Sequence, residues 1–261
     1  MNEIERIRQI DDEIFEEFQN YYHKLPHSNF IKLYPKTTFI TSFLDTGANF
    51  VKCAIFDECE SDNYYSVKIL YRSLIEHFLK FETIMFHWMR SKSDQFAINY
   101  LDYGDAREIL DSLRAQVSEK QLYDPSFKIN DWDNFLVDYP VFQNKTRKQV
   151  DIESEKYSFK SMVRFLNTEM KSEQSQLLGK LIHDYSSLSS FVHGGTRANK
   201  ELIIINDEKG RLAEYNRVCG LTLQQSASIK LFSLLLYCQS DPHFGEHFHK
   251  VDQLLKKLAK N

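Results

Sequence analysis

Arg72 and Glu76 stand four residues apart in the string Tyr71-Arg-Ser-Leu-Ile-Glu-His77. At 100° per residue they stack on one side of a helix. Val67, Leu70, Tyr71, Leu74, Phe78 and Phe81 share nearly the opposite face, and Ile69, Ile75 and Leu79 flank the pair. Lys68 and Lys80 extend the polar stripe at either end. A guanidinium among apolar neighbours needs acceptors for its remaining donors, so another element must meet it. Two readings follow: an ion pair that fixes the packing of a bundle, or an anion or phosphate site in which Glu76 orients Arg72.

A second set lies about a hundred residues on. Tyr185, Ser189 and His193 step by four along the edge of the apolar stripe Leu178, Leu181, Ile182, Leu188 and Val192, and Gly194-Gly195 follows. A histidine in a last helical turn sits over the negative end of the helix, which favours the imidazolium. The two glycines leave open backbone around it. The plainer reading is a ring that hydrogen-bonds the last carbonyls or the Arg72/Glu76 pair. Tyr, Ser and His in line do not make a hydrolase triad, because no acid stands at a legible position and no nucleophile elbow is present. Taken together, the two sets predict one site. In it Arg72 holds a phosphate and His193 acts as acid and base, with Glu76, Ser189 and Tyr185 orienting them.

The third set, His243-Phe-Gly-Glu-His247-Phe-His249, spells an inverted zinc-protease motif. Zinc needs a further ligand, Gly245 weakens the helix that must present the histidines, and the chain after them is Lys-rich. His249 offers only a local third ligand. The expectation is a solvated amphipathic helix and no metal. No Gly-rich phosphate loop, dinucleotide fingerprint or calcium loop occurs, so no cofactor is expected.

These residues require helices to position them. Apolar residues recur at three-four spacing over 1–24, 39–59, 64–90, 96–120, 159–170, 175–193 and 216–238, with a short amphipathic helix after Pro242. The stretch 64–90 contains neither Gly nor Pro and follows a turn at Ser61-Asp-Asn63. Residues 26–38 hold two prolines and read as a connector. Residues 121–155 read as an irregular excursion, rich in Asp, Asn, Pro and aromatics. The run Glu201-Leu-Ile-Ile-Ile-Asn206, a turn at Asp207-Glu-Lys-Gly210 and Arg211 to Tyr215 predict a small β-hairpin near 201–215. The expected fold is thus mainly all-α, a multi-helix bundle with that one hairpin. Its expected parts are an N-terminal helix and connector over 1–38, a helical core over 39–240 and a short C-terminal helix over 241–261.

Composition agrees. A chain of 261 residues with 42% hydrophobic and 27% charged residues is in the globular range, and 8 Gly and 5 Pro suit helices better than turn-rich sheets. The 20 Phe and 14 Tyr suit wide helix–helix interfaces and a further aromatic patch in a dimer. A net charge of -4 supplies no global field for nucleic acid and excludes a histone-like role. The first ten residues lack the apolar core of a secretory signal, and Leu231 to Cys238 is too short to span a bilayer. Four cysteines without C-x-x-C spacing read as reduced thiols of a cytoplasmic protein.

The R-x-x-x-E helix (Arg72, Glu76) followed by Y-x-x-L-S-x-x-x-H-G (Tyr185, Leu188, Ser189, His193, Gly194) resembles an uncharacterised, mainly bacterial helical family over roughly residues 40–240. That family stands beside the HEPN-like helical-bundle proteins, which include metal-independent RNA-cleaving toxins and phage-defence effectors acting as dimers. The resemblance implies an intracellular effector, an endoribonuclease with RNA as partner, and a homodimer or a protein partner encoded nearby. Such enzymes carry Arg and His four to six residues apart. Arg72 and His77 fit that spacing, yet chance yields roughly one such match in this chain, and five helical residues rotate His77 about 140° from Arg72. Arg72 with His193, across two helices, is therefore the preferred pair. The other reading of the same residues is a non-catalytic helical adaptor or sensor that binds a protein or a small ligand.

Overall fold

The structure, a computed structural model, describes residues 3–128, 131–169, 174–205 and 207–258. Twelve α-helices account for most of them: α1 (Glu3–Tyr22), α2 (Asn29–Leu33), α3 (Pro35–Glu60), α4 (Tyr64–Ser91), α5 (Gln95–Tyr123), α6 (Asp131–Asp138), α7 (Arg147–Glu155), α8 (Phe159–Glu169), α9 (Gln174–Val192), α10 (Thr196–Ile204), α11 (Glu208–Cys238) and α12 (Gly245–Lys256). No strand occurs among the described residues. No described helix is long and apolar enough to cross a membrane.

The bundle is built around α4. Its residues Lys68, Tyr71, Ile75, Phe78, Glu82 and Met85 recur at three-four steps and are all buried, and so are Val67, Leu74, Phe81 and Trp88 on its other sides. A helix apolar on nearly every side must be covered all round, and α3, α8, α9 and α11 cover this one. α1 is one-sided by contrast. It buries Ile7, Ile10, Ile14, Glu17 and Tyr21, again at three-four spacing, against α11 and α12. His87 locks α4 to α5 and α8, its ring stacked between Phe96 (3.7 Å, 9°) and Phe165 (4.1 Å, 15°). Burial there pushes its pKa down to about 4, so the ring is neutral at physiological pH.

Three expectations are corrected. The β-hairpin near 201–215 is helical: α10 ends at Ile204, and Asp207 caps α11 by accepting from the Gly210 amide at 2.7 Å. A lone two-stranded hairpin is marginal in water, whereas the helical course gives Glu201 and Glu214 a common buried partner in Lys68. Asn206 of that run lies outside the described residues. The connector over 26–38 holds α2 and the first turn of α3. Pro35 occupies a first helical position, where its missing N–H is no loss. The cap comes from outside the helix, as Asp94 accepts from the Lys36 and Thr37 amides at 2.8 Å each. The excursion over 121–155 contains α6 and α7, the latter opened by a Thr146/Gln149 capping box. Phe135, Phe142 and Val150 pack with Tyr103, Ala106 and Leu110 of α5 into a second apolar cluster.

Gly47 shows how tightly α3 meets α4. A Cβ at this position would lie 2.6 Å from His77 Nε2, and that ring is held by Nδ1 against the Ser73 carbonyl at 2.8 Å. Gly47→Ala is expected to lose about 1–2 kcal/mol in urea unfolding, the overlap outweighing alanine's better helix propensity. Equal or higher stability would show that the ring swings clear.

Candidate functional site

α4 and α9 run antiparallel. At one level the Tyr65 hydroxyl donates to the Phe191 carbonyl. Two helical turns along, Arg72 Nη2 donates to the Tyr185 hydroxyl at 2.7 Å, and the guanidinium carbon lies 4.2 Å from the centre of the tyrosine ring. Phe159 of α8 packs against the same ring at 4.3 Å. Arg72 is thus answered by an aromatic side chain rather than by an acid, with its Nε buried and without a hydrogen bond. Glu76 turns instead to Lys80, at 2.8 Å. Burial, then the negative charge of Glu76, raise the Tyr185 pKa, and Arg72 and Lys80 only partly offset them. The hydroxyl therefore stays protonated at neutral pH and is no base.

His193 lies elsewhere. It follows the last residue of α9, is exposed, and its ring has no partner among the described residues. Its amide donates to the Ser189 carbonyl at 3.2 Å, and Gly194 then takes φ 61°, the left-handed geometry that stops the helix. Eight residues separate His193 from Tyr185, about 12 Å along the helix axis. The structure thus brings Arg72 and Tyr185 together, gives Glu76 to Lys80, and sets His193 at the far end of α9. His77 faces α3, not α9.

Of the terminal histidines, His243 and His249 are exposed and His247 is committed. His247 is buried, with Nδ1 2.5 Å from Glu17 Oε1 and its ring 4.9 Å from that of Tyr21. Burial raises the Glu17 carboxyl, but bonds from His247 and Asn20 and the charge of Lys250 hold it below the usual range. No group of three ligating side chains forms among the described residues.

Two polar features were not read from the sequence as sites. The first centres on Lys68, whose ammonium reaches Glu214 at 2.5 Å and Glu201 at 2.9 Å. Arg217 grips Glu214 with two bonds of 2.8 Å and approaches Asp184 at 3.7 Å, while the Tyr64 hydroxyl donates to Glu201 at 2.6 Å. Lys68, four residues before Arg72 in an apolar helix, was the available signal. The second is a groove of about 340 Å³ between α1, α3 and α11, walled by Phe15, Phe18, Tyr22 and Leu25. Its polar side carries a Lys230–Asp45 ion pair of 2.8 Å. No motif marks it, because its walls come from three separated segments.

Comparison with protein-family models, with curated proteins and with solved structures finds no match. The family resemblance accordingly rests on the quoted motifs alone, and the chemistry has to be read from the geometry.

Proposed function

We propose that this chain is a non-catalytic helical interaction module, an adaptor that acts by docking protein surfaces. The observation that carries the reading is the distribution of its polar and aromatic groups. Arg72 is spent on Tyr185 and Glu76 on Lys80, while the outer face of α3 exposes Phe39, Phe43 and Phe50. General acid–base cleavage of a phosphodiester needs its groups within hydrogen-bond reach of one phosphate. About 12 Å of helix separates the levels of Arg72 and His193. Large exposed aromatics grouped on one face are what interfaces use.

The discriminating experiment is incubation of the full chain with tRNA and with total RNA, alongside Arg72→Ala and His193→Ala. The expected RNA patterns are identical. Arg72→Ala lowers the melting temperature by about 3–5 °C, through loss of a charged hydrogen bond and a cation–π contact, and His193→Ala leaves it unchanged. RNA cleavage by the wild type that both substitutions abolish would overturn the reading in favour of an RNA-directed effector.

A further inference from the structure

The outer face of α3 carries a repeat. Lys36, Phe39, Phe43, Thr46, Phe50, Cys53 and Asp57 follow one another at alternating steps of three and four residues, and all of them are exposed. This is the spacing by which one helix offers a continuous seam to another. A solvated face would carry charge at such positions; here Phe39, Phe43 and Phe50 are 59%, 66% and 71% exposed. Beside the seam, across the groove, α1 exposes Phe15 and Tyr22. The exposed parts of these five rings amount to roughly 600 Å². That sits at the upper end of apolar patches on monomers and close to the ~800 Å² that each partner contributes to a stable interface.

We infer that this face docks a second copy of the same chain, α3 against α3 in antiparallel orientation; the inference rests on the interaction-module reading. Charge decides the orientation. The seam begins at Lys36, with Lys32 before it, and ends at Asp57, with Glu60 after it. A parallel pairing would set lysine against lysine and carboxylate against carboxylate. The antiparallel pairing brings Lys36 of each copy beside Asp57 of the other. Asp57 is 3.6 Å from Arg8, which is bound more closely by Glu60 at 2.9 Å, so its carboxylate remains available. A two-fold axis between Thr46 and Gly47 then sets Phe43 of each copy against Phe50 of the other, with Phe39 at the level of Cys53 and Ala54. Both copies use the same patch, so the contact closes at two and leaves no free edge. Cys53 lies at the level of Phe39 of the other copy, away from its own mate.

Sedimentation velocity on the full chain at about 10 µM, the range expected for an interface of this size, tests the inference. The wild type is expected to be a dimer. Phe43→Asp and Phe50→Asp are each expected to give a monomer with an unchanged far-UV circular dichroism spectrum, because both side chains are exposed. Lys36→Glu is expected to weaken the dimer about tenfold, and Lys36→Glu with Asp57→Lys to restore it. A monomeric wild type, a dimer that survives both Phe substitutions, or a charge swap that restores nothing would each overturn the inference. None of these results bears on the RNA assay, and cleavage in that assay would sink the module reading without touching the oligomeric state.

Discussion

Lys68→Met is expected to destabilise the protein by roughly 3 kcal/mol, about 6–10 °C in melting temperature. Lys68 is buried on α4 and is the only described cation that touches both Glu201 and Glu214. A buried ion pair contributes little net stability while intact, since desolvation offsets attraction. Removing one member is another matter, because Glu214, left to Arg217, and Glu201, left to the Tyr64 hydroxyl, keep their desolvation and lose the buried cation they share. Burial works to raise the Glu214 carboxyl, and the bonds from Arg217 and Lys68 outweigh it and hold the group below the usual range. Glu214 therefore adds stability above the normal glutamate pKa, and that stability is lost as pH falls. Glu201 is one-third exposed, which keeps the expected loss at the low end for a buried pair. Urea unfolding at neutral pH measures it. Lys68→Met with Glu214→Gln is expected to recover a large part, and failure to recover would mean that packing of the lysine stem, not charge, was lost.

Glu82→Gln is expected to act in the opposite direction. Glu82 lies two heptads after Lys68 on the same buried face of α4, with no ion pair and with Oε1 lacking any hydrogen bond among the described residues. Burial alone raises its pKa to about 8. Between the ordinary 4.5 and about 8, the native state keeps a proton that the unfolded chain has released. Stability is therefore fully present below that window and declines as pH rises through it. The amide cannot ionise. Glu82→Gln should match the wild type near pH 5 and exceed it by roughly 3 kcal/mol at pH 8. Unfolding midpoints across that range check this. Parallel pH profiles for the two proteins would show that the carboxyl finds a partner and is charged in the folded state.

Much of the helical framework is legible in the sequence. The three-four spacing of Ile7, Ile10, Ile14 and Tyr21 marks α1, and the turn at Ser61-Asp-Asn63 marks the start of α4, where the Asn63 side chain accepts from the Ser66 amide. Gly194 marks the end of α9 through its positive φ. The failures have a common origin. Leu202 to Ile205 has strand-like composition, but its course is decided by Asp207 as a cap and by Lys68, which lies 133 and 146 residues from its two glutamate partners along the chain. The start of α3 likewise depends on Asp94, far beyond any local window.

The candidate site divides along the same line. Arg72, Glu76, Tyr185, Ser189 and His193 are all visible as polar residues on apolar helices. Nothing local says that Arg72 meets Tyr185, that Glu76 turns to Lys80, or that His193 stands two turns away. Sequence alone determined which faces of each helix are apolar, because a helix repeats every 3.6 residues and the pattern is carried within one segment. Only the tertiary structure decided which polar group answers which, and which aromatic face of α3 stays uncovered. Those depend on how rigid helices, their stripes already set, are docked side by side, and docking is a property of the whole core.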